Sequence, residues 1–206
     1  MIGNQRFRLI LFPVLSLCLF LAVILSHTNL LFNNHDSVVF TYTENFMRGQ
    51  VGSGYGSAQT SKFPEETLLP GDIILGGYPN CAYGRFSHAG LYLGDKEVLE
   101  GYVDSGLSIQ PLEHYLNYSD LCVLRVQTDN DVRAKAMEYA LGFEGRCFYP
   151  VAFKPGDRFW NCSKIIWKAY MDEGINLDPY NDLWIAPESF CQSAYVEKLY
   201  EKGNSP

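Results

Sequence analysis

The segment Ser87-His88-Ala89-Gly90-Leu91-Tyr92-Leu93-Gly94-Asp95-Lys96-Glu97-Val98-Leu99-Glu100-Gly101 is a β-hairpin by its own chemistry. Apolar-rich runs, Ser87 to Leu93 and Val98 to Val103, flank a Gly-Asp-Lys-Glu turn that reverses the chain. The hairpin carries a histidine on one strand and a glutamate on the other. Strand side chains alternate faces, so pairing Leu93 with Val98 would put His88 and Glu100 on opposite faces. A three-residue loop, Gly94 to Lys96, or a bulge puts them on one face two positions apart. The expectation is that they share a face, with the Glu100 carboxylate behind the His88 ring.

The elements around the hairpin define the fold class. Leu69-Pro70-Gly71-Asp72 is a turn, Ile73 to Leu75 a short strand, and Gly76 to Gly84 a glycine-rich segment that reads as a flap or surface loop. Leu121 to Gln127 is a further strand, and Tyr195 to Tyr200 a last one. Val132, Ala136, Tyr139, Ala140 and Phe143 recur at helical spacing from Asp129 to Gly145, and Ile165, Ile166, Ala169 and Tyr170 do so within Asn161 to Glu173, ended by Gly174. Strands clustered apart from helices make an α+β domain, an antiparallel sheet or partial barrel packed against a helix.

That second helix opens with Asn161-Cys162-Ser163. Asparagine is a good N-cap, so Cys162 falls in the first turn, where the partial positive charge of the helix end favours thiolate over thiol. His88 is then the candidate base that shares the thiol proton and later delivers it to a leaving group. Glu100 is the candidate that fixes the imidazole tautomer. The Cys162 backbone N–H is the natural first donor to an oxyanion. Each residue alone has an ordinary structural reading: most helix cysteines and strand histidines are packing residues, and a hairpin glutamate is usually solvated. His114 reads as a surface residue. Phe148, Tyr149, Phe153, Phe159 and Trp160 crowd the cysteine as cleft wall or core. Asn161-Cys162-Ser163 and Asn117-Tyr118-Ser119 match the glycosylation pattern, although a glycan at Asn161 would compete with capping.

The 206 residues suit one domain, and 16 basic against 23 acidic side chains, net −7 with no basic cluster, argue against nucleic acid as a partner. Arg6 and Arg8 precede Leu9 to Leu25, an uncharged run of 17 residues. That is longer than the roughly 7 to 15 of a signal-peptide core and short of the roughly 20 of a full span. Residues 1–26 therefore read as a signal peptide or, by a small margin, a membrane anchor. The charge bias places the body outside the cytoplasm, membrane-anchored or secreted. Residues 27–62, glycine- and serine-rich around Gly49 to Ser57, read as a stalk or flexible lead-in with an edge strand at Val38 to Tyr42. Residues 63–206 are the globular domain. Of six cysteines, Cys18 lies in the apolar run, and Cys81, Cys122, Cys147 and Cys191 read either as two disulfides or as small buried hydrophobes. No CxxC or HxxxH spacing suggests a zinc site, and the chemistry needs no cofactor.

Taken together, Leu69-Pro-Gly-Asp-Ile-Ile, Ser87-His-Ala-Gly-Leu-Tyr-Leu-Gly, Val98-Leu-Glu-Gly, Asn161-Cys-Ser-Lys-Ile-Ile-Trp-Lys-Ala-Tyr and Ala186-Pro-Glu-Ser resemble the permuted papain-like amidases of the YaeF/YiiX group. That group lies in the NlpC superfamily with the lecithin:retinol acyltransferase-like proteins. The resemblance spans roughly residues 68 to 200. It implies a circularly permuted papain-like fold, with Cys162 as nucleophile, His88 as base and Glu100 as orienting residue. It also implies an amide or peptide substrate, cell-wall peptide among them, cleaved through a thioester. The chain departs from the group at Lys164, where an acidic residue is common, and at Pro150, where Tyr-Asp is common. A thiol acyltransferase or lipid hydrolase of the same fold, and a binding module without catalysis, are the alternatives.

Overall fold

A computed structural model describes residues 11, 13–22, 25, 38–52, 64–82, 84–180 and 182–203. Six strands form one antiparallel sheet in the order β4-β3-β2-β1-β5-β6: β1 Ile73–Gly77, β2 His88–Gly94, β3 Glu97–Tyr102, β4 Gly106–Pro111, β5 Asp120–Val126 and β6 Val196–Lys202. The hairpin closes on Asp95 and Lys96, both with positive φ, and its register shifts between Tyr92 and Gly94. The connection is thus a two-residue turn plus a bulge, not a three-residue loop. The parity is the same, because the bulge adds the residue that the shorter turn removes.

Two apolar layers cover the sheet. Ile73, Leu75, Ala89, Leu91, Leu99 and Leu124 face the helices, while Ile74, Tyr92, Val98, Leu121 and Val123 face a layer from the 3-10 turn Leu112–Asn117 and Leu68. The strand Ile73-Ile74-Leu75 is therefore buried on both faces, which explains an unbroken apolar run instead of alternation. Helices α2 (Asn130–Leu141) and α3 (Cys162–Asp172) pack on each other, and α3 lies on β2. Helix α3 stops in a Schellman motif. Gly174 takes φ +80°, its N–H donates to Met171 O at 3.0 Å, and the Ile175 N–H donates to Tyr170 O at 2.9 Å.

One sequence expectation is corrected, and two open readings are narrowed. Val38 to Tyr42 is not an edge strand but the start of a helix, α1 (Val38–Met47). Its β-branched and aromatic residues suggest a strand by propensity alone, which tertiary context overrides. The lead-in is likewise not wholly irregular: Asn45 Nδ2 donates to Ala82 O at 3.3 Å, and the Gly52 N–H donates to Asn80 O at 2.9 Å. The rest of the stalk lies largely outside the described residues, as do residues 1–10, 12, 23 and 24. Residues 13–22 are helical, and among the described residues no helix is long and apolar enough to cross a membrane. Finally, none of the six cysteines is joined in a disulfide: Cys81 and Cys122 are buried and Cys147 is exposed, so the packing alternative fits Cys81 and Cys122.

The turn before β1 is held by a buried charge. The fully buried Asp72 side chain accepts from Arg125 Nε at 2.8 Å and Nη2 at 2.6 Å, and also from the Leu69 N–H at 2.8 Å. Asp72→Ala strands the Arg125 guanidinium and frees the turn. We expect a loss of about 3 kcal/mol in urea unfolding, against a midpoint within error of wild type if the pair were merely superficial.

Candidate active site

Asn161 sits in extended conformation before α3, and its Oδ1 accepts from the Lys164 N–H at 2.7 Å. Its Nδ2 donates to Pro150 O at 3.2 Å, tying the preceding loop to the helix start. Cys162 is the first helical residue and is buried. Asn161→Ala removes the cap and should cost about 1 kcal/mol of stability and slow alkylation of Cys162 at neutral pH. Asn161→Ser should restore both, since serine also caps; failure of the rescue would show that the Pro150 contact matters more.

The sulfur sits where two strands part. Backbone groups of Tyr92 bond the turn that leads into β1, through Tyr92 N–H to Asp72 O and Gly71 N–H to Tyr92 O, both at 2.8 Å. Ala89, of opposite parity, therefore aims its N–H toward β3. The β2–β3 ladder, however, runs only from Leu91↔Leu99 to Gly94↔Glu97. The Ala89 N–H is left for the Cys162 sulfur, to which it donates. In this way a helix on one side of the sheet meets a histidine whose side chain lies on the other.

His88 and Glu100 share the face that carries the Leu112–Asn117 turn, with His88 Nε2 2.6 Å from Glu100 Oε2. Nδ1 is left for the thiol, and the ring is hydrogen-bonded to Cys162. Burial would lower the His88 pKa, but the hydrogen bonds from Cys162 and Glu100 outweigh it and raise it from 6.5 to about 10. Burial likewise would raise the Cys162 pKa, yet His88, the Ala89 N–H and Ser163 bring it below its ordinary 9.0. Both shifts favour a thiolate–imidazolium pair.

The rings around His88 were not legible as a group in the sequence. Tyr102 stacks on the imidazole at 4.6 Å between centroids and 18° between planes, and its hydroxyl donates to Glu100 Oε2 at 3.1 Å. Tyr115 and Tyr118 approach at 6.0 and 6.1 Å. Two glycines make room for them. A Cβ on Gly76 would lie 2.5 Å from the Tyr118 ring, and one on Gly90 2.4 Å from the Tyr115 hydroxyl. Burial pushes all three phenols up, so they remain neutral donors. His114, read as a surface residue, is 43% exposed at its side chain, yet its Nδ1 is 3.6 Å from Glu100 Oε1. Its proximity to Glu100 follows from the fold of the 3-10 turn, and only Tyr102, two residues from Glu100 on one strand, carried a positional signal.

On the cysteine side, Trp160 is core, while Tyr149, Phe153 and Phe159 are about half exposed. Lys164 is buried. Its ammonium donates to Gly156 O at 2.6 Å and Phe159 O at 2.9 Å and lies 4.9 Å from the Trp160 ring centre. At this departure from the group pattern, a lysine fastens the loop that carries the aromatic rim. Among the described residues no group of three or more His, Cys, Asp or Glu side chains forms a metal site.

A thiol at a capped helix start, facing a histidine on an antiparallel sheet that precedes it in the chain, defines the permuted papain-like class. The chain belongs to the permuted papain-like amidase family YaeF/YiiX, peptidase family C92, whose family model matches residues 67–199. A solved structure described as metalloprotein yiiX from Escherichia coli O157:H7 is similar in fold, with TM-score 0.53 and 16% identity over 66% of this chain and 98% of that one. No curated protein matches the chain.

Proposed function

We propose that the protein is a cysteine amidase or peptidase in which Cys162 is the nucleophile, His88 the general base and acid, and Glu100 the residue that holds the imidazole. The observation that carries this reading is the continuous chain from the Cys162 sulfur through the His88 ring to the buried Glu100 carboxylate. The Cys162 thiolate attacks the amide carbonyl, and His88 protonates the departing nitrogen. Water activated by His88 then hydrolyses the thioester. The Cys162 N–H at the helix end is the backbone donor for the developing negative charge. Cell-wall peptide is a substrate consistent with an N-terminal anchor that places residues 63–206 outside the cytoplasm. The reading of residues 1–26 as anchor or signal and 27–62 as lead-in belongs to the same proposal.

A thiol acyltransferase or lipid hydrolase is the second reading, favoured by one observation: Tyr149, Val151, Phe153 and Phe159 leave apolar surface exposed on the loop next to Cys162. The experiment is a turnover screen of the full chain in detergent against amide and ester libraries, beside Cys162→Ala and His88→Ala. Amide cleavage by wild type alone supports the first reading, and a fatty acyl adduct on Cys162 supports the second. Equal turnover by all three proteins removes both.

A further inference from the structure

The Pro187–Gln192 3-10 turn is held beside the start of β5, and one arginine fixes it there. The Arg85 backbone N–H donates to Glu188 Oε2 at 2.7 Å, and the Arg85 Nε donates to Asp120 Oδ1 at 3.0 Å. Residues three apart eclipse one another on a 3-10 turn, and residues two apart share one face of a strand. Cys191 therefore repeats the position of Glu188, and Cys122 that of Asp120, one step along each element. Cys122 is fully buried in the core beneath the helices, and Cys191, partly buried, packs against the same cluster. The two thiols meet there in a hydrogen bond.

We propose that Cys122 and Cys191 are the two halves of a disulfide that braces this turn against the sheet. Two other thiols are placed differently: the Cys162 sulfur is engaged by His88, and Cys147 is exposed. As a thiol, Cys122 is a packing residue, and its hydrogen bond with Cys191 is the contact that oxidation makes covalent. That bond, and then burial, push the Cys191 thiol pKa up, so this pair does not compete with Cys162 as a nucleophile. Slow exchange of this kind suits a structural bond more than a rapid switch.

The oxidant is another disulfide, small-molecule or protein, of the kind present outside the cytoplasm. The Cys191 thiolate attacks one of its sulfurs and displaces the other. The Cys122 thiolate then attacks the Cys191 sulfur and displaces the first. One S–S bond forms and one breaks; two electrons pass from the cysteines to the oxidant, and their two protons go to its thiolates. The new bond closes a loop of roughly 70 residues that contains α2, α3 and Cys162, which removes freedom from the unfolded chain. It also fixes Glu188, which holds the Arg85 N–H three residues before His88. None of this rests on the hydrolase reading.

The test equilibrates the full chain in detergent with oxidised glutathione at about pH 8.5, near the pKa of a free thiol. The remaining thiols are then alkylated in denaturant and the peptides mapped by mass spectrometry. We expect Cys122 joined to Cys191, with Cys81, Cys147 and Cys162 joined to neither. The thermal midpoint of the oxidised protein should lie about 10 °C above that of the reduced one. That difference should disappear in Cys191→Ser and equally in Cys122→Ala. Both peptides alkylated in a protein that keeps its thermal transition, a glutathione adduct that stays on Cys191, or either cysteine joined elsewhere overturns the pairing. A bond that forms without raising the midpoint overturns the bracing role. No substrate enters these measurements, so a protein that cleaves no amide would still give the linked peptide.

Discussion

Glu100→Gln should slow amide turnover on the order of 10³-fold while leaving the protein folded. The glutamine keeps the volume of a fully buried side chain, so no cavity opens. What it loses is the charge that faces His88 Nε2 at 2.6 Å and accepts from the Tyr102 hydroxyl at 3.1 Å. An amide can present NH₂ to the ring as easily as oxygen, which fixes the wrong tautomer and points the proton at Nδ1 toward the thiol that should give one up. The pH profile should change as well. Burial lowers the His88 pKa and its two partners raise it to about 10, so losing one partner lets burial count for more. The alkaline limb of activity, where His88 loses its proton, should then move down from near 10. The linkage has the same sign. A histidine raised from 6.5 to about 10 contributes stability that is complete below 6.5 and lost as pH rises through about 10. Activity within twofold of wild type, with an unmoved alkaline limb, would make Glu100 a packing residue only.

How far the sequence revealed this site depends on which physical rule placed each residue. The hairpin was readable because Gly94 to Glu97 can only turn, and the common face of His88 and Glu100 followed from parity. The choice between loop and bulge did not matter, since both add one residue. Strand β4 was missed because Gly106–Pro111 offers only Leu107 and Ile109 as apolar alternation, too little to separate from a loop. The tyrosine shell and His114 come from β3 and the 3-10 turn with its flank, and meet only when that turn packs on the sheet. The Ala89 N–H is a backbone group, and no residue type announces that a ladder will stop. Gly90 and Gly101, small residues flanking the gap, are the nearest thing to a signal. A Cβ at Gly101 would press to 2.7 Å against the Phe148 ring.

His88→Ala should turn Cys162 from a reactive thiolate into a buried thiol. With the imidazole gone, burial, which raises the thiol pKa, is opposed only by the Ala89 N–H, by Ser163, whose Oγ is 3.8 Å from the sulfur, and by the helix end. In wild type the Cys162 pKa is lowered below 9.0, so its contribution to stability is present above 9.0 and fades as pH falls through the lower folded value. Iodoacetamide alkylation should follow the same window, fast well below pH 9 in wild type. In His88→Ala it should be slower on the order of a hundredfold at pH 7, with the rise displaced to alkaline pH. Mass spectrometry on the Cys162 peptide measures this site among the six cysteines. Unfolding would mimic neither result, since an exposed thiol titrates near its free pKa of about 8.5 and the thermal transition would vanish. A fall of less than about threefold with an unmoved profile would assign the activation to the helix end and the Ala89 N–H, because those donors survive the substitution. His88 would then act only in proton transfer, and the position of the sulfur in the gap between β2 and β3 would be the primary cause of its reactivity.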